Sequence, residues 1–271
     1  MIEITSRDNQ HIKMARRVRD GRECEFIHIE GVRLVDEAIK SNCKILSIFV
    51  DIEIAADDRH GKAIDRSASQ STDVYAISPE LLRHIADTEN PQGIVVIAAR
   101  PESGIAEIEE RLEREIPLVL LLEEANNPSN IGAIIRSAEA AGIAGVITTS
   151  GSADAFSPKS IRASMGSCFR FPIWECVQID VVLAWAKQRG IAAVGLAGNA
   201  KESIYNVAWN KPAMLVAGSE AHGLSPEFLA KLDGSVRIPM AEPVESLNLA
   251  AACGITMFEC RRQYLRLGNQ G

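Results

Sequence analysis

The feature of this sequence that most constrains its fold is a series of apolar, strand-like segments in the second half of the chain. They lie at 118–122, 145–149, 191–196 and 213–217, and helix-like segments separate them. Strands that are apolar along their whole length are typical of parallel sheets buried on both faces. The sequence therefore predicts an α/β fold whose C-terminal part is a mostly parallel sheet with helices on both faces. Such sheets bind ligands at the carboxyl ends of their strands.

The first half of the chain also alternates between strands and helices. Strands are predicted at 26–29, 44–50 and 93–99, and a helix with apolar residues at helical spacing is predicted at 32–39. The polar residues 57–72 are predicted to form a flexible surface stretch. This half therefore forms a smaller α/β domain.

A charged segment separates the two halves. Residues 101–116 are rich in Glu and Arg and stand between two apolar strands, so they are predicted to form a linker. The expected organisation is a first domain at 1–100, a linker at 101–116 and a second domain at 117–271.

The charge balance restricts how this chain could hold a polyanion. Its net charge is −7, which excludes a histone-like protein that binds nucleic acid through bulk positive charge. Basic residues nevertheless cluster in 8–20, which is predicted to be an exposed basic helix. That helix is either an ordinary solvated face or a patch that contacts phosphates.

The sequence also indicates where in the cell the protein is located and whether it binds a metal. No stretch of 18 apolar residues occurs, and the first eight residues lack the basic-then-apolar order of a secretory signal, so a cytoplasmic location is expected. The six cysteines form no C-x-x-C pair and have no histidine at zinc spacing. They are expected to be buried, reduced thiols, and no metal site is predicted.

Three polar loops follow apolar strands. The first spans 123–136, and a helix is predicted to begin near Asn130, whose amide could cap exposed backbone N–H groups. Gly132 precedes Arg136 by one turn and leaves room beside its guanidinium. The arrangement suits the approach of a ligand, although a capped helix with a surface arginine is the alternative.

The second loop follows the strand at 213–217. A Walker loop would need Lys at the position of Leu224, and a dinucleotide fingerprint would need Gly at the position of Glu220, so neither phosphate cradle is complete. A carboxylate beside a phosphate would also be repulsive. The loop is better suited to a neutral or cationic ligand that Glu220 can balance, with a purely structural loop as the alternative.

The third loop spans 238–252. Two prolines stiffen it, Ser246 is predicted to cap the last helix, and Asn248 is expected in the first helical turn, where its amide needs a partner. Small residues at 250–254 would let this helix pack closely against another backbone, in a second subunit or in the core of the same chain.

Taken in this order, the three loops resemble the three motifs of the SpoU/TrmH family of RNA 2′-O-ribose methyltransferases, in the SPOUT superfamily. The resemblance covers nearly the whole chain. Residues 26–34 and 90–93 are similar to the family's substrate-binding domain, which is related to ribosomal-protein-like RNA binders, and 157–166 also match a family segment. The two-domain build resembles the ribosomal RNA subgroup.

This resemblance implies a catalytic domain with a deep trefoil knot, S-adenosylmethionine as cofactor, and a homodimer with the active site near the subunit interface. Residues 1–100 would be the RNA-binding domain and 117–271 the methyltransferase domain. By position, it places the cofactor contacts at Gly218, Ile238 and Leu247. It places the catalytic set at Asn130, Arg136, Glu220, Ser246 and Asn248.

Within this interpretation, the chemistry needs a group that acts on the ribose hydroxyl. The resemblance implies that Arg136, held by neighbours such as Asn130, activates this hydroxyl, and a general base is one form that this role could take. Guanidinium groups stay protonated in proteins, so the role expected for Arg136 is electrostatic: to hold the target phosphate and stabilise developing alkoxide charge. The residues expected to contact RNA phosphates are Arg7, Lys13, Arg16, Arg17, Arg19, Lys159 and Arg162.

Ribosomal RNA is the expected substrate and transfer RNA the alternative. A non-catalytic RNA-binding protein of the same fold is a second possibility, although the joint presence of all five catalytic positions argues against it. A nucleotide-dependent oxidoreductase or kinase is disfavoured by the two incomplete glycine loops.

Overall fold

Each half of the sequence builds its own sheet. In the computed structural model, which describes residues 1–53 and 72–268, contacts divide the chain into two units. Unit 1 comprises Met1–Glu102 and Phe156–Arg170, and unit 2 comprises Ser103–Ala155 and Phe171–Gly271. The polar stretch predicted at 57–72 lies outside the described residues, except for Thr72.

The elements of the described residues are numbered in chain order. The strands are β1 Ile2–Ile4, β2 Phe26–Glu30, β3 Ile45–Asp51, β4 Asp73–Ile77, β5 Ile94–Ala99, β6 Ile116–Leu122, β7 Ile143–Thr149, β8 Ile173–Val177, β9 Ala192–Leu196, β10 Glu202–Ser203, β11 Ala213–Ala217 and β12 Gly234–Arg237. The α-helices are α1 Gln10–Arg19, α2 Val32–Lys40, α3 Pro79–Ile85, α4 Ile105–Arg114, α5 Pro128–Ala141, α6 Pro158–Ser164, α7 Ile179–Gln188, α8 Pro226–Leu229 and α9 Leu249–Gly268.

Unit 1 contains a mixed sheet. Its strand order is β1-β4-β3-β5-β2, with β5 antiparallel to both of its neighbours and the other pairs parallel. Helix α1 buries Ile12, Ala15 and Val18, which recur every three residues, while its basic residues lie on the other positions. The predicted basic helix is therefore present, and its apolar stripe anchors it to the core of unit 1.

Unit 2 contains a parallel sheet, as predicted. Its strand order within the described residues is β10-β12-β9-β11-β6-β7-β8, and every neighbouring pair is parallel. The central strands β6 and β11 are almost wholly buried, which explains their uniformly apolar sequences. The carboxyl ends of β12, β9 and β11 therefore lie side by side at one edge of the sheet.

The predicted linker at 101–116 is wrong, because most of it forms helix α4 and the start of β6. Ile108 is fully buried in the core of unit 2, and Ile105 and Leu112 pack against that core. These residues recur at i, i+3 and i+7, which is the signature of a helix face. The many surrounding charges lie on the solvent side and obscured this periodicity.

The predicted domain boundary also differs from the structure at one inserted segment. Residues 156–170, expected in the second domain, pack within unit 1. Gly166 has a φ of +85°, and a Cβ placed there would lie 2.7 Å from the Cβ of Glu37, so this segment closely approaches α2. Arg162 forms an ion pair with Asp87 of the same unit.

The cysteines are only partly as expected. All six are free, and Cys168, Cys253 and Cys260 are buried, but Cys24 and Cys176 are exposed. Among the described residues, no helix is long and apolar enough to cross a membrane, and no group of three His, Cys, Asp or Glu could hold a metal ion.

Candidate active site

A cavity of about 590 Å³ lies at the carboxyl ends of β9, β11 and β12 in unit 2. This is the edge of a parallel sheet at which ligands are expected, and the volume is in the usual range for a small-molecule site. Six of the eight residues predicted for catalysis or cofactor binding line it: Gly218, Glu220, Ile238, Ser246, Leu247 and Asn248.

The wall of this cavity at 218–223 is formed by tightly folded backbone. The amide of Gly223 donates to the carbonyl oxygen of Ser219 at 2.9 Å. A Cβ placed on Gly218 would lie only 2.4 Å from the carbonyl carbon and oxygen of Gly223. Since backbone atoms cannot move aside as a flexible side chain can, residue 218 must be glycine. The loop therefore forms a closely packed turn at the edge of the cavity.

A chain of hydrogen bonds joins the three polar loops. Asn130 Nδ2 donates to Glu220 Oε1 at 2.8 Å, and Asn248 Nδ2 donates to Asn130 Oδ1 at 3.1 Å. Asn248 Oδ1 in turn accepts from the backbone amides of Ala250 and Ala251. Each amide therefore has both ends bonded, which fixes its orientation. The side chain of Glu220 is held at the cavity by this chain.

The structure corrects two predicted helix caps. Asn127, not Asn130, is the N-cap of α5 and accepts from Ser129 N at 3.0 Å. Asn130 lies in the first turn of the helix and is only 9% exposed. Because it does not cap the helix, its side-chain amide can bond to the other two loops. At α9 the cap is Asn248 rather than Ser246, because the Asn248 side chain accepts the first amides of that helix.

Arg136 lies apart from this hydrogen-bonded chain. It is exposed on α5, six residues after Asn130, and does not line the cavity. Six residues correspond to about 600° of rotation along an α-helix, so the two side chains leave α5 on different faces. In the part of the chain that the structure describes, Arg136 forms no ion pair, and its guanidinium is available to an anionic ligand.

One cysteine beside the cavity is too deeply buried to act as a nucleophile. Cys253 on α9 is completely buried, and this burial, with a smaller contribution from the charge of Glu220, raises the pKa of its thiol to about 12. The thiol therefore stays protonated near neutral pH, and a protonated thiol is a poor nucleophile.

Burial also raises the pKa of Glu123, which directly follows β6, with the neighbouring Glu124 as a second cause.

Sequence reasoning missed several residues that line the cavity. Leu196 ends β9, Ala197 and Gly198 follow it, and His222 and Met240 lie in the second and third loops. The rule that ligands bind at the ends of parallel strands could have identified 196–198, because they lie at the end of the apolar strand predicted at 191–196. No comparable sequence signal identifies His222 or Met240.

The seven predicted RNA contacts all lie in unit 1, including Lys159 and Arg162 of the inserted segment. Several are already paired: Arg7 with Glu80, Lys13 with Asp8, Arg17 with Glu23, and Arg162 with Asp87. Arg19 donates to the carbonyl oxygens of His84 and Ala86 at the end of α3, so it also has a structural role. Lys159 is exposed, and Arg16 is half-buried.

A parallel α/β sheet with a cavity and a hydrogen-bonded Glu–Asn–Asn chain at its strand ends defines a ligand-binding enzyme domain of the α/β class. Residues 117–258 match the SpoU rRNA methylase family. The chain belongs to this family, as the three loops predicted. Residues 9–96 match the MRM3-like substrate binding domain.

Individual relatives agree with this assignment. The chain is 32% identical, over 73% of its length and 71% of the relative, to an uncharacterized tRNA/rRNA methyltransferase of Synechocystis. It is 28% identical to the 23S rRNA (guanosine(2553)-2′-O)-methyltransferase RlmP of Bacillus subtilis, over 96% of this chain and 100% of that protein. The crystal structure of the SpoU methyltransferase AviRb of Streptomyces viridochromogenes with AdoMet superposes with a TM-score of 0.85 at 28% identity, covering 95% and 98% of the two chains.

Proposed function

We propose that this chain transfers a methyl group from S-adenosylmethionine to a ribose 2′-hydroxyl of RNA, with ribosomal RNA as the substrate. The observation that carries the proposal is the bonded chain of Asn130, Glu220 and Asn248 beside a glycine-walled cavity in a SpoU-family fold. The names of the relatives support the enzyme class, the cofactor and ribosomal RNA, and these predictions are confirmed.

The cavity fits the cofactor. Its volume suits a ligand of that size, and the glycine at 218 lets the backbone of Gly223 pack against the strand end that borders the cavity. Gly218, Ile238 and Leu247 would hold the cofactor, largely through main-chain groups. When bound, S-adenosylmethionine supplies an electrophilic methyl group on a positively charged sulfonium.

The chain's own residues position the RNA sugar and stabilise charge. Glu220, fixed by Asn130, places a carboxylate at a cavity that would hold a cationic ligand. Arg136 would hold the phosphate next to the target ribose and stabilise the charge that develops on the oxygen as its proton passes to solvent. Ser246 and Asn248 line the same cavity and would orient the ribose. Because the reaction needs in-line approach of oxygen to carbon, this positioning would supply much of the rate.

Unit 1 would hold the RNA. All seven basic residues predicted to contact phosphates lie in it, and its sequence matches a substrate-binding domain. The surface ion pairs of Arg7, Lys13 and Arg17 are weak and exchange readily for phosphate contacts. Transfer RNA remains the alternative substrate, since relatives named tRNA/rRNA methyltransferases are among the matches. A cytoplasmic location fits ribosomal RNA as substrate.

The quaternary structure that we propose is a homodimer through α9, with a trefoil knot in unit 2. Helix α9 exposes Ile255, Phe258 and Leu265, which are 39%, 48% and 51% exposed, and together with Ala251 they form one stripe at helical spacing. An apolar stripe of this kind is typical of a protein interface. The knot is part of this proposal because the family resemblance implies it.

The test of the function uses tritium-labelled cofactor and deproteinised ribosomal and transfer RNA. We expect label to be transferred to ribosomal RNA and to remain on 2′-O-methylated nucleosides after digestion. Labelled bases, or no transfer to either RNA, would refute the proposed reaction. Transfer to transfer RNA alone would support the alternative substrate.

For the dimer, we expect Phe258→Asp to yield a monomer by analytical ultracentrifugation, since a charge placed within an apolar interface loses its hydration. Tyr205→Asp is the matched control, because Tyr205 is an equally exposed aromatic, 53% exposed, outside the α9 stripe. A monomer before any substitution, or a dimer that survives Phe258→Asp, would contradict this interface.

A further inference from the structure

Unit 1 contains a second cavity, whose lining comes largely from the segments that resemble the family's substrate-binding domain, and no ligand has been assigned to it above. Its volume is about 610 Å³, and three segments line it: 30–34 at the turn from β2 into α2, 88–92 before β5, and Arg162 with Met165 at the end of α6. We refer to it as the unit 1 cleft. It shares no lining residue with the cavity in unit 2.

Hydrogen bonds hold the three segments of the unit 1 cleft in place. The buried carboxylate of Glu30 accepts from the backbone amides of Asp87 and Thr88, at 2.8 and 3.2 Å, and from the Thr88 hydroxyl. The carboxylate of Asp87 pairs with Arg162. The cleft is therefore built around one bonded network and is formed before any ligand binds, which lowers the entropic cost of binding.

A glycine at the floor of the cleft allows one of its polar side chains to lie close. Gly31 has a φ of +92°, and a Cβ placed there would lie 2.8 Å from Gln92 Oε1. The Gln92 side chain therefore lies directly over the backbone at the start of α2. The N-cap of α2 is Gly31, which has no side chain, so the positive end of this helix lies at the cleft beside Gln92.

The exposed groups lining the cleft are chemically mixed. Arg33, Asn90 and Gln92 supply one cation and two carboxamides, and Glu89 supplies a carboxylate. A polyphosphate would be repelled by Glu89. An apolar ligand would remove water from these polar groups without offering them hydrogen-bond partners. Carboxamides and a carboxylate complement the donors and acceptors on a nucleobase edge, and an arginine complements a single phosphate.

A base in this cleft would also have a surface on which to stack. Unstacked RNA bases stack on aromatic rings or on guanidinium planes. No aromatic residue is among the described residues that line the cleft, but the Arg162 guanidinium is held by Asp87, and Met165 lies beside it. The complementary ligand is therefore one unpaired nucleotide.

We propose that the unit 1 cleft binds one unpaired nucleotide of the RNA substrate, other than the nucleotide that is methylated, and thereby selects the RNA element to be modified. This proposal rests on the proposed function, because it assumes that RNA is the substrate. The carboxamides of Asn90 and Gln92 contact the base edge, and Arg33 contacts an adjoining phosphate.

The first test compares steady-state kinetics on ribosomal RNA. We expect the double substitution Asn90→Asp with Gln92→Glu to raise KM for RNA by about tenfold or more while kcat changes less than about twofold, since lost base contacts weaken binding of one nucleotide. Arg33→Ala should raise KM similarly and lower the slope of log affinity against log salt by about 1. Arg83→Ala, at an exposed arginine of α3 outside the cleft, is the control and should leave both constants nearly unchanged.

The second test locates the RNA directly on the unaltered protein. Ribosomal RNA transcribed with 4-thiouridine is irradiated with the protein, and crosslinked peptides are identified by mass spectrometry. We expect crosslinks in 29–34, 87–92 or 162–165. If the unaltered chain methylates RNA but no crosslink falls there and the cleft variants keep their KM, the cleft proposal is wrong while the proposed function stands. If the unaltered chain methylates no RNA, the proposed function itself fails.

Discussion

Replacing Arg136 by alanine is expected to reduce methyl transfer by about 10³-fold while leaving the affinity for S-adenosylmethionine within about twofold. The magnitude is that of losing one charge-stabilising donor in a transition state. Cofactor affinity should persist because Arg136 does not line the cavity in unit 2. Single-turnover methyl transfer and isothermal calorimetry with the cofactor measure the two quantities separately.

Folding is not expected to limit this experiment, since Arg136 is exposed and forms no ion pair within the described residues. Arg136→Lys keeps the positive charge but lacks the planar guanidinium with its paired donors, so it should recover only part of the rate lost in Arg136→Ala. Arg114→Ala removes a similarly exposed arginine from α4 and should change neither quantity. Equal losses of cofactor binding and of transfer in Arg136→Ala would rule out this division of roles.

The second large effect is expected at Asn130. Asn130→Ala removes the amide that joins Glu220 to Asn248, so both side chains lose a partner. We expect methyl transfer to fall by about 10²-fold, because a small misplacement of catalytic groups has effects of that size. RNA affinity should change far less, since the predicted phosphate contacts lie in unit 1.

Two further variants distinguish positioning from stability. Asn130→Asp keeps the size of the side chain but places a second carboxylate against Glu220, so it should be as inactive as the alanine variant. Asn127→Ala removes only the helix cap and is expected to lower the free energy of unfolding by about 1 kcal/mol with little effect on kcat. If the Asn127 and Asn130 variants behaved alike, Asn130 would have only a structural role.

The sequence predicted the strands of unit 2 closely, because a strand buried on both faces is apolar along its whole length. The predicted 213–217 coincides with β11, and 118–122 with the end of β6. The order of the strands could not be obtained in this way, since β11 pairs with β6 and β9 across long stretches of chain. Local periodicity carries no information about such pairings.

The same distinction holds for the site. The family resemblance supplied the residues, but their contacts span 90 and 118 positions of the chain, from Asn130 to Glu220 and to Asn248. Cap preferences misled the local interpretation, because an asparagine before a helix is usually a cap. At Asn130 the stronger requirement is to satisfy a buried amide, and Asn127 takes the cap instead.

The insertion of 156–170 into unit 1 restricts how this protein can be dissected. The chain passes between the units at 102–103, 155–156 and 170–171. A fragment ending at residue 102 would lack Arg162 and Met165, and with them one side of the unit 1 cleft. Truncation studies that treat the N-terminal piece as an autonomous RNA binder would therefore measure a damaged molecule. An isolated version of unit 1 must therefore also include residues 156–170, for example as a peptide joined to the N-terminal fragment.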